Sequence, residues 1–343
     1  MSLAIVTGGT GWLGSALIDA LLKGLPEVPS LAAPMAGRRV RALVHGNLSA
    51  VEPDVEQIAG DLSTGEGLDA LFKDAAGATV FHCAGVIHPS RGVKEFWEVN
   101  AEGTRRVVEA AKRAGVRRLV HVSSNSPIGV NRSPNERFDE SAPYDPYMGY
   151  GKSKQAAEEA VLSARDALEV AVIRPPWFYG PRQPERQNTF FTMIRTGKGP
   201  LVGGGHNRRS MAYVDNICQG LLLCEKVDAA KGNVYWIADE RPYEMTEIVD
   251  TVEKLLEKEF NLSCTHGRLR LPGLASGVAY MVDGTLQALG LYHQKIHVLS
   301  EMNKTIACSI DKAKRELGYA PTVSLEEGMR RSIGWVLEHG GKL

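Results

Sequence analysis

The chain has no excess of either charge: 40 Lys and Arg balance 40 Asp and Glu over 343 residues. Without net charge or a basic tail there is no electrostatic footing for nucleic acid. No uninterrupted run reaches the roughly 18 apolar residues that a membrane-spanning helix needs, which excludes such a helix. Met1–Thr7 lacks a basic flank and a small-residue cleavage site, so a cytoplasmic chain is expected and a secretory signal is not. The five cysteines (Cys83, Cys218, Cys224, Cys264, Cys308) are scattered and show no CxxC spacing. They read as reduced and mostly buried thiols. No His, Cys and Asp cluster has ligand spacing, so no metal is expected. Repeats and low-complexity tracts are absent.

What is present is an alternation. Leu3–Thr7, Arg39–Val44, Val55–Ala59, Thr79–Cys83, Arg118–Ser123 and Val170–Arg174 read as strands. Helical spacing falls between them, over Trp12–Leu25, Leu68–Lys73, Phe96–Ala114 and Ser153–Ala167. Strands apolar on both faces and separated by helices predict an α/β fold: a doubly wound, parallel, Rossmann-like sheet. Residues 1–180 are expected to form the dinucleotide-binding domain and carry the catalytic residues. Residues 181–343 are expected to form a smaller C-terminal substrate lobe, partly interwoven with the first, with helices over 215–227, 246–258 and 324–338. Ser324-Leu325-Glu326-Glu327 has the form of a capping box.

Thr7-Gly8-Gly9-Thr10-Gly11-Trp12-Leu13-Gly14 stands where the first strand ends and a helix begins. Gly8 permits the tight turn, Gly11 a close approach to a pyrophosphate, and Gly14 close packing of helix on sheet. The amides of Thr10, Trp12 and Leu13 at the helix start would hold phosphate. The second strand ends Leu43-Val44-His45-Gly46, without the acid that would bind a free ribose 2′-hydroxyl. Arg41 and His45 could face a 2′-phosphate, which favours NADP over NAD; both could equally be solvated surface. Asp61, followed by Leu62, ends the next strand and is placed to accept from an adenine amine, although Asp is also a common turn residue.

Tyr150 and Lys154, four apart on one helix, project from the same face. A phenol titrates near pH 10, and a nearby ammonium favours its phenolate. Such a tyrosine can exchange a proton with an alcohol or a carbonyl. Ser124, at the carboxyl edge of Val120–Ser123, can hydrogen-bond the same oxygen. A protein that merely sensed a cofactor would not need all three.

These motifs, with His82-Cys83-Ala84-Gly85, Asn100, Arg174–Pro181 and Tyr213-Val214-Asp215-Asn216, resemble an extended short-chain dehydrogenase/reductase over nearly the whole length. Asp139-Glu140, Tyr144–Lys154 and Asp311–Pro321 resemble the 3-beta-hydroxysteroid dehydrogenase-like group, which grades into the NAD-dependent epimerases and dehydratases. The resemblance implies a catalytic Ser124, Tyr150 and Lys154, with Asn100 holding the helix geometry and a relay water. It implies that Lys154 also binds the nicotinamide ribose, that Ala84 and Gly85 line the cofactor, and that Pro175 lies against the nicotinamide. A homodimer built through residues 96–114 and 150–166 is also implied.

The substrate side divides two readings. Trp177, Phe178, Phe190, Phe191, Met193 and Met211 suggest a pocket for a bulky apolar alcohol or ketone, steroid-like or beta-keto acyl, with Arg182 or Arg186 anchoring a carboxylate. Arg208 and Arg209 suggest instead a sugar-nucleotide epimerase with bound NAD. The stretch after the catalytic serine, Asn125-Ser126-Pro127-Ile128, has no carboxylate, so dehydration is unsupported. The apolar oxidoreductase is the main expectation. Leu271–Leu291, nearly uncharged, reads as a lid, as buried core, as a dimer face or as a helix at a membrane surface. His82 and His121 read as packed, hydrogen-bonded histidines.

Overall fold

The computed structural model describes residues 2–46 and 52–343. In the first half, strands β1 (Leu3–Thr7), β2 (Arg39–Val44), β3 (Glu56–Ala59), β4 (Thr79–His82), β5 (Arg118–Val122) and β6 (Glu169–Arg174) are joined through helices α1 (Trp12–Lys23), α2 (Leu68–Leu71), α3 (Thr104–Arg113) and α4 (Met148–Ser163). Then come β7 (Trp177–Tyr179), α5 (Glu185–Arg195), β8 (Pro200–Val202), β9 (Arg208–Arg209), β10 (Met211–Tyr213), α6 (Val214–Lys226) and β11 (Asn233–Trp236). The chain closes with β12 (Tyr243–Glu244), α7 (Met245–Lys258), β13 (Leu269–Leu271), α8 (Gly273–Ala288), α9 (Gln294–Glu301), α10 (Asp311–Leu317) and α11 (Leu325–Glu338).

Seven strands form one parallel sheet in the order β11-β6-β5-β4-β1-β2-β3. Successive side chains along a strand point to opposite faces, and the two faces bury separate cores. Val6, Ala42, Phe81, Val120 and Ile173 pack with α1 and α6. Ile5, Leu43, Val80, Leu119 and Val172 pack with α3 and α4. Strand order reverses between β1 and β4, and ligands of doubly wound sheets lie in the crevice at such a point. A smaller lobe, including α8–α11, sits beyond the carboxyl edge. Its member β11 completes the main sheet beside β6.

Two helices differ from the sequence reading. The stretch 96–114 is π-helical over Phe96–Gly103 before continuing as α3. The helix expected from Ser153 starts at Met148, which puts Tyr150 in its first turn. α4 is held down by a buried ion pair. Arg174 of β6 donates from Nε and Nη2 to Glu158 at 2.6–3.2 Å, and Tyr144 Oη donates to the same carboxylate at 2.9 Å. The two side chains are 4% and 0% exposed. Ser324 caps α11 by accepting from the Glu327 amide at 3.4 Å.

Removing one partner of a fully buried ion pair strands the other charge, at a cost of about 3–5 kcal/mol. Glu158→Gln is therefore expected to lower the urea-unfolding free energy by about that amount. A loss below about 1 kcal/mol would show that α4 does not depend on this pair.

Candidate functional site

The glycine turn is dictated by close backbone approaches. Gly8 has φ +75°, and a Cβ there would sit 2.8 Å from the Ala84 nitrogen. A Cβ on Gly14 would lie 2.0 Å from the Gly8 carbonyl oxygen. Gly11 is different: its Cβ would meet only that same oxygen, at 3.2 Å, and would otherwise face open space. α1 starts at this bare edge with no side-chain cap and no acid in its first turn. A cavity of about 430 Å³ opens beside it, lined among others by Gly9, Thr10, Trp12, Ser15 and Arg182. Uncapped helix amides, a bare glycine and open volume fit the phosphates of a dinucleotide. Leu13 turns into the core. Trp12 Nε1 donates to the Pro181 carbonyl at 2.7 Å, and its ring lies 6.0 Å from that of Phe178, which ties the turn to the second lobe.

At the neighbouring strand tips the two expected cations part company. Arg41 is 5% exposed. Its Nη1 donates to the Leu71 and Lys73 carbonyls at 2.8 and 2.7 Å, and its Nε lies 2.9 Å from Glu56. It ties α2 and β3 to β2 and does not face a phosphate, because two carbonyls inside the fold and the Glu56 carboxylate at its surface already surround the guanidinium. His45 is exposed, with Nδ1 3.3 Å from the Gly60 carbonyl oxygen. Asp61 accepts from the Ser63 amide at 2.7 Å. Burial pushes its carboxyl up, but the bonds from Ser63 outweigh this and hold it below the usual range. Leu62 is buried beside it.

β4, β5 and α4 converge on the catalytic candidates. Asn100, 1% exposed, accepts from the Val86 amide at 2.7 Å and donates to the Val86 carbonyl and the Ser153 hydroxyl at 2.9 and 3.1 Å. It pins the loop carrying Ala84 and Gly85 to α4. A Cβ on Gly85 would come 3.9 Å from Lys154 Nζ, so that loop passes directly over the lysine. Pro175 is buried just past β6. Ser124 accepts from the Ser126 amide at 3.0 Å, and its hydroxyl stands near enough to the Tyr150 phenol to favour the phenolate. Burial pushes that phenol up to about 12, and the nearby Ser124 hydroxyl partly offsets the rise.

The expectation that Lys154 lowers the Tyr150 pKa is not met in this geometry. Lys154 turns back into the sheet, where Nζ donates to the Val122 carbonyl at 2.8 Å and lies 3.5 Å from His121 Nε2. Burial pushes its pKa down to about 8. Beneath it, His82 bonds Thr7 and Thr104 through its two ring nitrogens at 2.6 and 2.9 Å. His121 is also buried, but its Nδ1 has no partner.

The second lobe departs furthest from the sequence reading. Arg182 does not reach the substrate side: it pairs with Asp19 and donates to the Ser15 carbonyl on α1, at the glycine turn. Trp177 and Phe190 stack edge to face at 5.2 Å. Together with Phe178 they border a gap of only about 10 Å³, the half-buried rings packing largely on one another. Arg209 donates to the Glu301 carbonyl and leaves a buried Nε without a partner.

Sequence reasoning missed what faces Tyr150 from above. α8 and α9 bring Asp283, Tyr292, His297 and Glu301. His88 Nδ1 and Tyr292 Oη are 2.7 Å apart, and Phe96 packs between Tyr150 and Tyr292 at 5.7 Å from each. Tyr147 Oη meets the Ser300 hydroxyl at 2.8 Å. His297 Nδ1 lies 2.7 Å from Asp283, which is fully buried. Burial works against the charged imidazole, but Asp283 and Glu301 outweigh it and hold its pKa above the usual value. Glu301 also pushes up the Tyr147, Tyr150 and Tyr292 phenols, after burial itself. A lone Asp inside an otherwise uncharged stretch was the one visible signal. Among the described residues no group of three His, Cys, Asp or Glu is placed to hold a metal.

The Lys154 shift has a consequence for stability. The folded protein releases this proton near pH 8, the unfolded chain near 10.4. Between those values the unfolded state binds more protons, so stability rises with pH. Urea unfolding of the cofactor-free protein is expected to show this gain from pH 8 to 10, and Lys154→Met to lack it. Equal slopes in the two proteins would overturn the assignment. Arg41→Ala is expected to destabilise the fold while leaving the ratio of NADP to NAD affinity unchanged. A selective loss of NADP affinity, measured by fluorescence titration, would restore Arg41 to the cofactor.

Comparison with known proteins agrees with this architecture. The model of the NAD dependent epimerase/dehydratase family matches residues 4–238. The uncharacterized protein y4nL of Sinorhizobium fredii is 47% identical, covering 98% of this chain and 96% of its own. A 4-hydroxy-2-methyl-3-oxo-4-farnesyl-3,4-dihydroquinoline-1-oxide ketoreductase of Stigmatella aurantiaca is 30% identical, covering 94% and 93%. An N-acetyl-alpha-D-glucosaminyl-diphospho-ditrans,octacis-undecaprenol 4-epimerase of Escherichia coli is also 30% identical, covering 72% and 73%. The crystal structure of UDP-glucuronic acid 4-epimerase from Bacillus cereus in complex with NAD shares the fold, with a TM-score of 0.74 at 21% identity over 98% of this chain and 99% of that one. With the glycine turn at the switch point and Ser124, Tyr150 and Lys154 gathered at the carboxyl edge of the sheet, this chain belongs to the NAD-dependent epimerase/dehydratase family, as an enzyme of the extended short-chain dehydrogenase/reductase type.

Proposed function

We propose that the enzyme oxidises and re-reduces a secondary alcohol carbon of a sugar carried on a diphosphate, as an epimerase that retains NAD. The observation that carries this reading is the polar wall over Tyr150. Glu301, His297, Tyr292 and half-buried Arg209 offer hydrogen bonds to a polyhydroxylated substrate, while the aromatic set once expected to form a hydrocarbon pocket packs on itself. The E. coli relative acts on such a sugar. With Arg41 engaged inside the fold, His45 is left as the one candidate of the two for a 2′-phosphate, which supports NAD over NADP.

In this reading the amides around Gly11 hold the pyrophosphate, Asp61 and Leu62 the adenine end, and Ala84, Gly85, Lys154 and Pro175 the nicotinamide end. When bound, the nicotinamide supplies the hydride acceptor and donor. Ser124 fixes the substrate oxygen. Tyr150 takes the hydroxyl proton and returns it to the same oxygen. The raised phenol is a proton donor as it stands; to accept, it needs a cation nearby, and Lys154 is one helical turn away. Asn100 holds the loop and the helix that bring these groups together.

A second reading, a dehydrogenase of bulky apolar alcohols, is favoured by the Stigmatella ketoreductase. One panel separates them: UDP- and dTDP-sugars and a polyprenyl-linked aminosugar beside beta-keto acids and cyclic ketones. Epimerised sugar with no net change in NADH absorbance is expected. Tyr150→Phe should slow it by about 10²–10⁴-fold with cofactor affinity retained. Turnover confined to the keto acids and ketones would overturn the epimerase reading.

A further inference from the structure

We propose that the outer face of α8 is a docking surface for an anionic lipid bilayer. α8 is built inside out. Its polar Ser276 and Asp283 are fully buried, while Leu274, Met281 and Leu289 are 77%, 65% and 70% exposed. Val278 and Val282 are exposed between them. At 3.6 residues per turn these five side chains lie within an arc of about 100°, an apolar stripe along one side of the helix with exposed Thr285 within it. Leu269 and Leu291 extend the exposed apolar surface past both ends. Ordinary surface helices turn such a stripe toward the core. Here Asp283, bonded to His297 and Gln287, holds the opposite side inward and fixes the stripe outward.

The exposed charges of the segment that carries the stripe are of one sign, while at the Gly290 end the neighbouring segment 91–98 adds Arg91 and Lys94 already paired with Glu95 and Glu98. From residue 267 to residue 304 the carboxylates are Asp283 and Glu301 alone. The first is fully buried, and the second is turned toward the Tyr150 cluster. Arg270 and Lys295, exposed near the two ends of α8, take no part in the ion pairs of this region, which use His266, Arg268 and His297. Exposed Lys198 adds a third cation beside β13, where the Gly199 carbonyl accepts from the Leu269 amide. Exposed apolar side chains rimmed by unpaired cations complement an anionic lipid surface. A second copy fits less well. An isologous antiparallel pairing of α8 would bring Arg270 of one chain toward Lys295 of the other, with no exposed carboxylate on α8 itself to separate them.

The surface lies on the opposite side of α8 from the catalytic cluster, so the proposal does not depend on which substrate is turned over. The test is flotation of the full-length protein with phosphatidylcholine vesicles, with and without about one third phosphatidylglycerol. Binding is expected to the anionic vesicles and to be on the order of twentyfold weaker without phosphatidylglycerol, or after the paired change Arg270→Glu with Lys295→Glu. Met281→Glu should weaken it by about tenfold or more with an unchanged melting temperature, because that side chain is exposed. Equal recovery with both vesicle types, or a Met281→Glu protein that floats like the parent, would overturn the proposal. So would a concentration-dependent dimer, seen by light scattering, that Met281→Glu dissolves while the parent ignores vesicles.

Discussion

The arrangement of Ser124, Tyr150 and Lys154 depends on how α4 is fastened to the sheet. Two successive turns of the helix reach two adjacent strands: Lys154 donates to the Val122 carbonyl of β5, and Glu158 grips Arg174 of β6. Both side chains are removed from water, and a buried ion pair of this kind is a poor source of net stability against an apolar substitute. What it does supply is position. A helix packed on a sheet only by apolar side chains could slide or rotate by fractions of a turn; one that must satisfy a buried carboxylate and a buried guanidinium cannot. Tyr150, one turn before Lys154, is thereby set against Ser124. Asn100 applies the same constraint from the other side through Ser153 and Val86.

The second lobe completes the site by covering it with polar groups. α8 and α9 form a cap whose inner surface carries Asp283, His297 and Glu301 and whose outer surface is hydrocarbon. Several groups of this wall have partners that make their burial tolerable: Asp283 with His297, Tyr147 with Ser300, Tyr292 with His88. Such a network is worth most when fully satisfied. The Asp283 Oδ1 and the Arg209 Nε, both buried without partners, are where it is least complete.

Much of the fold was legible because its signals are local. Strand and helix periodicity needs only neighbouring residues, and the six N-terminal strands fall within a residue of their expected limits at most ends. The glycine turn was legible for the same reason: Gly8 and Gly14 answer to backbone atoms a few residues away or on the adjoining strand. Ser124, Tyr150 and Lys154 could be placed on the right edge because the carboxyl ends of parallel strands share one side of the sheet. The misreadings are all of long-range partners. Arg41 looked free until the carbonyls of Leu71 and Lys73, at and just past the end of α2, closed over it. Arg182 looked like a substrate anchor until the turn at Pro181 carried it onto α1. The apolar run 271–291 left lid, core, dimer face and membrane-surface helix open, and it was buried Asp283 that turned its apolar side outward.

By itself, then, the sequence determined the doubly wound sheet, the dinucleotide turn and the gathering of Ser124, Tyr150 and Lys154 at one sheet edge, since each is encoded by spacing along one or two adjoining elements. The tertiary structure alone decided which arginines stay available, which face of α8 meets the interior, and that the wall above Tyr150 is polar. Those outcomes turn on the burial of single charged groups, where the alternatives differ by one unsatisfied hydrogen bond and the partner stands as many as 167 residues away.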